Sequence, residues 1–339
     1  MALPTHIRER LSLPVFCAPM FKVTGPALVR EACKAGFMAG LPRANAPDAG
    51  TFDRWLSDIG ADLSAHQQAH PGARIGPIAV NLSTRLEPDQ MEAELDICQR
   101  HGVEIIVSAA GDPTRLIPHV HARGMSVFHD VTTMRFAQKA IEARADGLIC
   151  IGAGGGGHSG LISQLALVPR IRAIFDGVIV MAGAISNGAA VRAAEILGAD
   201  LAYMGTRFIA TQEADVAPAY KQMLVDESSA ALMYTRSISG VPANWLVASL
   251  QANGLDPAQL PEPLGRGPGI GHLPEGVRPW HTVWSAGHGI DLITDIPSVA
   301  ELASRLRREY IAACATPDMA QAAKLAQEAA KSAINQSAA

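Results

Sequence analysis

"DGLICIGAGGGGHSG" occupies residues 146–160 of the 339-residue chain. Its first half is apolar and β-branched. Its second half is glycine interrupted by one alanine, and it runs into a single imidazole, His158. Glycine runs ordinarily read as flexible linkers. A linker has no reason to leave a buried strand directly and stop at one histidine. The pattern suits instead a strand end where the backbone must approach something closely.

The same junction, an apolar run followed by small or polar residues, recurs along the first two thirds of the chain. The runs are "LPVFCAPM" (13–20), "GFMAGLP" (36–42), "IGPIAVNL" (75–82), "VEIIVSAAG" (103–111), "MSVFHDV" (125–131), "DGLICIGA" (146–153), "GVIVMAGAI" (177–185) and "ADLAYMGT" (199–206). Continuous apolar runs of this length suit parallel strands buried on both faces. Helical stretches separate them. "TGPALVREACKAG" (24–36) opens with Thr24 and Pro26 and closes on Gly36, and "TTMRFAQKAIEARA" (132–145) and "NGAAVRAAEILGA" (187–199) repeat the form. Eight alternations predict an α/β fold, a (β/α)8 TIM barrel. A doubly wound sheet is the other architecture that alternation allows.

After residue 210 the alternation stops. "ADVAPAYKQMLVDESSA" (214–230) has a helical pattern, and 254–279 is rich in Pro and Gly, a long irregular loop of the kind that carries function. The expected division is a barrel over 1–210, with 282–339 packing back on it, and a small, mainly helical substrate lid over 211–281. Apolar residues make up 48% and charged residues 18%, enough for a large core, and the net charge of −4 provides no basic field for nucleic acid. No signal-peptide core or membrane-length apolar run stands out. The five cysteines (Cys17, Cys33, Cys98, Cys150, Cys314) show no CxxC spacing, so a disulfide framework or a metal site is not expected. A cytoplasmic protein fits these observations; monomer and homodimer both stay open.

Barrel active sites lie at the C-terminal ends of the strands, and the unusual residues of this chain gather there. "AGAISNG" after the seventh run and "MGTRF" after the eighth have the glycines that let backbone N–H groups reach a phosphate, at the two strands where barrels often bind one. A single cradle suits a mononucleotide or a phosphorylated substrate. The GxGxxG pattern traceable in 152–157 is trivial in a homopolymeric run, and no acidic residue ends a strand about 20 positions on, as a dinucleotide site requires. The glycines before His158 leave room for a flat ring, with His158 placed to exchange a proton near neutral pH. His129 is the next histidine candidate; His101, His119 and His121 fall on helices.

Together "LPVFCAPM", "AVNL", "GGGGHSG", "MAGAI", "AYMGTRFIAT" and "WSAGHGIDLI" resemble the nitronate monooxygenase (2-nitropropane dioxygenase-like) family, in order, from about residue 8 to 312. The resemblance implies an FMN-binding barrel that oxidises alkyl nitronates with O2, with His158 as the catalytic base. It implies flavin contacts at Pro19, Met20 and Phe21, at Asn81 and Ser83, and at Gly156. It puts the phosphate at Ala182, Gly183 and Ala184 and at Gly205 and Thr206.

The chain departs from the family pattern. Relatives often carry lysine on the fifth strand, where this chain has Asp130 after His129, and His129 is then the residue expected to supply charge. "AGH" (286–288) replaces the usual Ala-Gly-Gln, making His288 a candidate flavin or substrate contact, and "GVPANWL" (240–246) lacks a common arginine. The same scaffold hosts NAD(P)H-dependent flavin reductases acting on enoyl-CoA thioesters or quinones. That is the alternative function; a non-catalytic flavin-binding protein is a third.

Overall fold

The computed structural model describes residues 2–109, 111–265, 269–319 and 321–324. Eight parallel strands close into a barrel in sequence order: β1 (Val15–Cys17), β2 (Met38–Pro42), β3 (Ile78–Ser83), β4 (Ile105–Ala109), β5 (Ser126–Val131), β6 (Gly147–Ile151), β7 (Val178–Ala182) and β8 (Leu201–Met204). The seam closes where β1 pairs β8, with Val15 opposite Ala202 and Cys17 opposite Met204. Closure leaves this sheet without an edge and rules out the doubly wound alternative.

The helices are α1 (Thr5–Arg8), α2 (Pro26–Lys34), α3 (Ala49–Ala69), α4 (Pro88–Arg100), α5 (Leu116–His121), α6 (Met134–Glu142), α7 (Gln164–Arg172), α8 (Gly188–Ile196), α9 (Thr206–Ile209), α10 (Pro218–Asp226), α11 (Val247–Ala252) and α12 (Val299–Cys314). Their starts have ordinary chemical causes. Asp48, Thr133 and Asn187 each accept the backbone N–H that opens α3, α6 and α8, and Ser298 with Glu301 forms a reciprocal cap on α12. Pro26 opens α2, and the chain leaves that helix at Gly36, whose φ is +76°.

Strand alternation splits the core in two. Phe16, Phe128, Ile149 and Val180 fill the barrel, while Val15, Val127, Leu148 and Ile179 face the helices. Leu3, Ile7 and Leu11, around α1, join the inner cluster. The N-terminal segment is therefore part of the barrel's packing. At the other end of the chain, α12 lies against α8, where Glu309 accepts the Gly188 N–H (2.7 Å) and the Tyr310 hydroxyl donates to Glu195 (2.6 Å). Residues 325–339, the end of the segment expected to pack back on the barrel, lie outside the described residues.

Segment 211–281 holds α10 and α11 but also a two-stranded antiparallel sheet, β9 (Leu232–Thr235) with β10 (Ala243–Leu246). The sequence pattern missed this hairpin because each strand is only four residues long and takes its stability from packing. Trp245, Ile238, Leu250 and Val283 form a small separate core behind it. Among the described residues, no helix is long and apolar enough to cross a membrane.

Phe16 is fully buried in the barrel, with its ring edge-on to Tyr203 at 4.9 Å. Phe16→Ala leaves a cavity that the closed sheet cannot collapse into. It is expected to destabilise the protein by about 3–5 kcal/mol, measured by equilibrium denaturation.

Candidate active site

A cavity of about 440 Å³ opens at the C-terminal ends of the strands, roofed by the 211–281 segment. Its base is set by the barrel. Inward positions at the strand ends supply Asn81 from β3, Asp130 from β5, Ile151 from β6, Ala182 from β7 and Tyr203 from β8. The turn after β1 contributes Pro19, Met20 and Phe21. Pro19 can lie across β2 only because residue 40 is glycine; a Cβ there would fall 2.6 Å from the proline ring. The Asn45 carboxamide holds the turn by donating to the carbonyls of Met20 (3.1 Å) and Thr24 (3.0 Å).

The glycine run is pinned on several sides. Asn244 of β10 donates from its side chain to the carbonyls of Gly155 (2.7 Å) and Ala153 (3.2 Å), and from its backbone to Gly156 (3.2 Å). The amides of Ala184 and His288 both converge on the Gly154 carbonyl, at 3.1 and 3.0 Å. A Cβ on Gly156 would stand 2.8 Å from the Gly287 nitrogen, so glycine is required there for two backbones to cross. Gly157 is different. It lines the cavity, and a Cβ on it would meet no protein atom within 4 Å.

The two expected cradle halves face the same cavity. Ala182, Gly183 and Ala184 follow β7 and Gly205 and Thr206 follow β8, where the Thr206 hydroxyl accepts the Gly287 N–H at 2.9 Å. Gly183 and Ala184 both have positive φ, +106° and +59°. Arg207, the next residue, points elsewhere: it is buried against Asp295 and donates to the Ala210 carbonyl at 2.8 Å. None of the described lining residues is Lys or Arg, so an anion here would be held by backbone amides and a hydroxyl.

His158 projects into this space. Its Nε2 is buried without a hydrogen-bond partner, and burial pulls its pKa below the usual imidazole value, leaving a neutral ring with a free nitrogen. The ring stands edge-on to Trp280 at 5.1 Å. Trp280 has φ +59°, unusual for a bulky residue. It is held there by its amide on the Val283 carbonyl (2.8 Å), its indole N–H on Ser285 (3.1 Å) and packing against Trp245.

Three sequence candidates lie outside the cavity lining. Ser83 is exposed, and its hydroxyl accepts the Arg85 N–H. His129 faces away because neighbouring strand residues point to opposite faces. It meets the Ser108 hydroxyl through Nδ1 at 2.8 Å, and burial holds its pKa down to about 4. It is therefore neutral and does not supply the charge expected of it. His288 is exposed on the turn His288–Leu292, and only its backbone serves the site. Asp130, by contrast, faces inward. Part of its surface opens to the cavity, Oδ1 is buried without a partner, and burial pushes its pKa up to about 7.

Sequence reasoning missed Tyr203, Tyr220, Trp280 and Asn244. Tyr203 could have been found from strand parity. The others come from the 211–281 segment, whose placement no periodicity reveals.

A family model described as nitronate monooxygenase matches residues 72–309, which include the glycine run, both cradle halves and the roof. The chain belongs to the nitronate monooxygenase family. A nitronate monooxygenase of Paraburkholderia phytofirmans is 25% identical over 345 residues, covering 87% of this chain and 92% of that protein. A Rhodococcus jostii dehydrogenase of an octahydro-indene carboxyl-CoA is 28% identical over 229 residues, 68% of this chain. The chain spans only 61% of that dehydrogenase and 48% of a Mycobacterium tuberculosis relative. Among solved structures, a nitroalkane oxidase from Streptomyces ansochromogenes superposes with a TM-score of 0.70 at 21% identity, covering 91% of this chain and 99% of that one, a likeness of fold.

Two expectations follow for this member of the nitronate monooxygenase family. Gly205 has no positive φ, and a Cβ there would meet Met20 and Ala18 only at 3.4 and 3.9 Å, whereas a Cβ on Gly183 would lie 2.8 Å from the Gly155 nitrogen in a left-handed backbone. Gly183→Ala should therefore cost about 1–3 kcal/mol, and Gly205→Ala less than about 0.5 kcal/mol, by thermal denaturation. A phosphate-bearing ligand should bind both variants more weakly, which separates cradle from turn.

The second expectation concerns the roof. Trp280→Gly removes both the backbone strain and the ring that shields His158. The His158 pKa, followed by proton NMR of the imidazole, should rise toward its ordinary value of about 6.5. Trp280→Phe should keep it low.

Proposed function

We propose that the chain is an FMN-dependent nitronate monooxygenase that oxidises small alkyl nitronates with O2, with His158 as the base when the substrate arrives as a neutral nitroalkane. One observation carries this reading: a buried, neutral, unpartnered imidazole nitrogen in a cavity whose other end is a backbone cradle without cations. FMN fits the residues present. The single cradle after β7 and β8 would take its one phosphate, and the open side of Gly157 with the apolar walls at Ile151 and Ile185 would admit its flat ring. Bound there, the flavin supplies the electron acceptor for the substrate and the reductant for oxygen.

The protein's own residues have three tasks in this scheme. Asn244 fixes the glycine run, so that His158 leaves it in one direction. Trp280 limits water at the imidazole, and burial keeps the ring unprotonated near neutral pH. Nε2 is then free to accept an α-proton. Because the base form is the active one, turnover of nitroalkanes should fall as pH drops through the lowered pKa of His158 and stay level above it.

His158→Asn should lose about 10²- to 10⁴-fold in kcat/KM on a neutral nitroalkane, the usual contribution of a general base, and much less on the preformed nitronate. Equal losses on both forms would remove the base role. The likeness to the Rhodococcus CoA-ester dehydrogenase supports a second reading, an NAD(P)H-dependent flavin reductase of an enoyl-CoA thioester or a quinone. Anaerobic stopped-flow mixing separates the two: nitronate should bleach the flavin, whereas bleaching by NADH with inert nitronates would favour the reductase.

A further inference from the structure

Asp130 has no part in the scheme above, yet it occupies the cavity base. It sits at the inward-facing end of β5, in a tier with Asn81 of β3 and Tyr203 of β8. Its Oδ1 is buried with no partner, and none of the described lining residues is a cation that could balance a carboxylate. The lining residues from the adjoining strands, Ala109 of β4 and Ile151 of β6, cannot ionise or hydrogen-bond through their side chains. The titratable groups that share the cavity are Tyr203, Tyr220 and His158. Burial keeps both phenols protonated and the imidazole neutral, and Tyr220 spends its proton on the Ser285 carbonyl at 2.5 Å. His129, beside Asp130 in sequence, faces out of the barrel and is neutral too.

An ionised carboxylate in such surroundings has lost part of its water without gaining a partner, whereas a neutral acid has a proton to donate. A flavin ring presents carbonyl oxygens and ring nitrogens that accept hydrogen bonds, and it displaces the remaining water as it enters. Both effects favour the acid form.

We propose that Asp130 is the proton-holding group of the cavity: it meets the bound flavin as a neutral carboxylic acid and donates a hydrogen bond to it, so that loading the cofactor draws one proton from solvent near neutral pH. The inference rests on the flavin reading of the site. The proton returns to solvent when the cofactor leaves. The ligand-free carboxyl, with its pKa near 7, is increasingly ionised above that pH and must be reprotonated before the ring can bind. Affinity therefore falls as pH rises, by up to about tenfold per unit for one linked proton.

The test is FMN binding to the full chain between pH 7 and 9, where the cofactor's own phosphate, with a pKa of about 6, no longer titrates. In wild type the affinity should drop steeply over this range. Calorimetry at pH 8 in two buffers of different ionisation enthalpy should show the uptake of about one proton. Asp130→Asn, which keeps a donor but cannot ionise, should bind with a flat pH profile and no uptake. Infrared difference spectra of the wild type labelled with 13C-aspartate should gain a protonated-carboxyl band on loading, a readout that does not depend on the variant folding. Equal slopes and equal uptake in the two proteins, or no such band, would overturn the proposal and leave the flavin reading standing. Failure of FMN to bind either protein at any pH would overturn both.

Discussion

The carboxamide of Asn244 is the contact on which the rest of the site depends. It joins the hairpin of the 211–281 segment to the loop after β6 through the carbonyls of Ala153 and Gly155. Four glycines in a row carry a large conformational entropy. Left free, they would spread His158 over many directions. Buried carbonyls that need partners, met by the amides of Asn244, Ala184 and His288, convert the run into a fixed ledge. The absence of side chains then serves packing. Gly156 lets the 286–287 backbone cross above it, and within the run only Gly157 has open space where a Cβ would stand.

Charge is distributed with the same economy. The one guanidinium close to the cradle in sequence, Arg207, is committed to Asp295, which also pairs with Arg305. That cluster ties the start of α9 to the segment before α12. It leaves the cavity to neutral donors, backbone amides and two buried phenols. Without mobile cations, local burial decides the protonation of the groups inside, lowering His158 and raising Asp130. The chain belongs to the nitronate monooxygenase family, and its scaffold is the closed eight-stranded barrel. The base of the cavity holds the unpartnered carboxyl of Asp130.

The eight strands, the barrel and the small residues that end β7 and β8 were legible in the sequence because each rests on local rules: continuous apolar runs, helix caps, and glycines at strand ends. Eleven of the residues singled out as catalytic or cofactor-binding, from Pro19 to Thr206, line one cavity, along with His158 among them. The misplacements have particular causes. His129 and Asp130 are neighbours on one strand, and only the register of β5 against β4 and β6 decides which faces inward. Ser83 shares the inward parity of Asn81 but sits at the rim. His288 is next to the site in sequence, yet its side chain turns to solvent.

The sequence alone determined the barrel's strands, their order and the end of the barrel where polar and glycine residues accumulate, since these follow from periodicity and steric preference within a few residues. The tertiary structure decided what those residues do. The hairpin of β9 and β10, the pinning by Asn244, the strained Trp280 over His158 and the unpartnered carboxyl of Asp130 all arise from segments far apart in the chain. Their hydrogen bonds and desolvation exist only once the 211–281 segment closes over the barrel, and no local pattern encodes that contact.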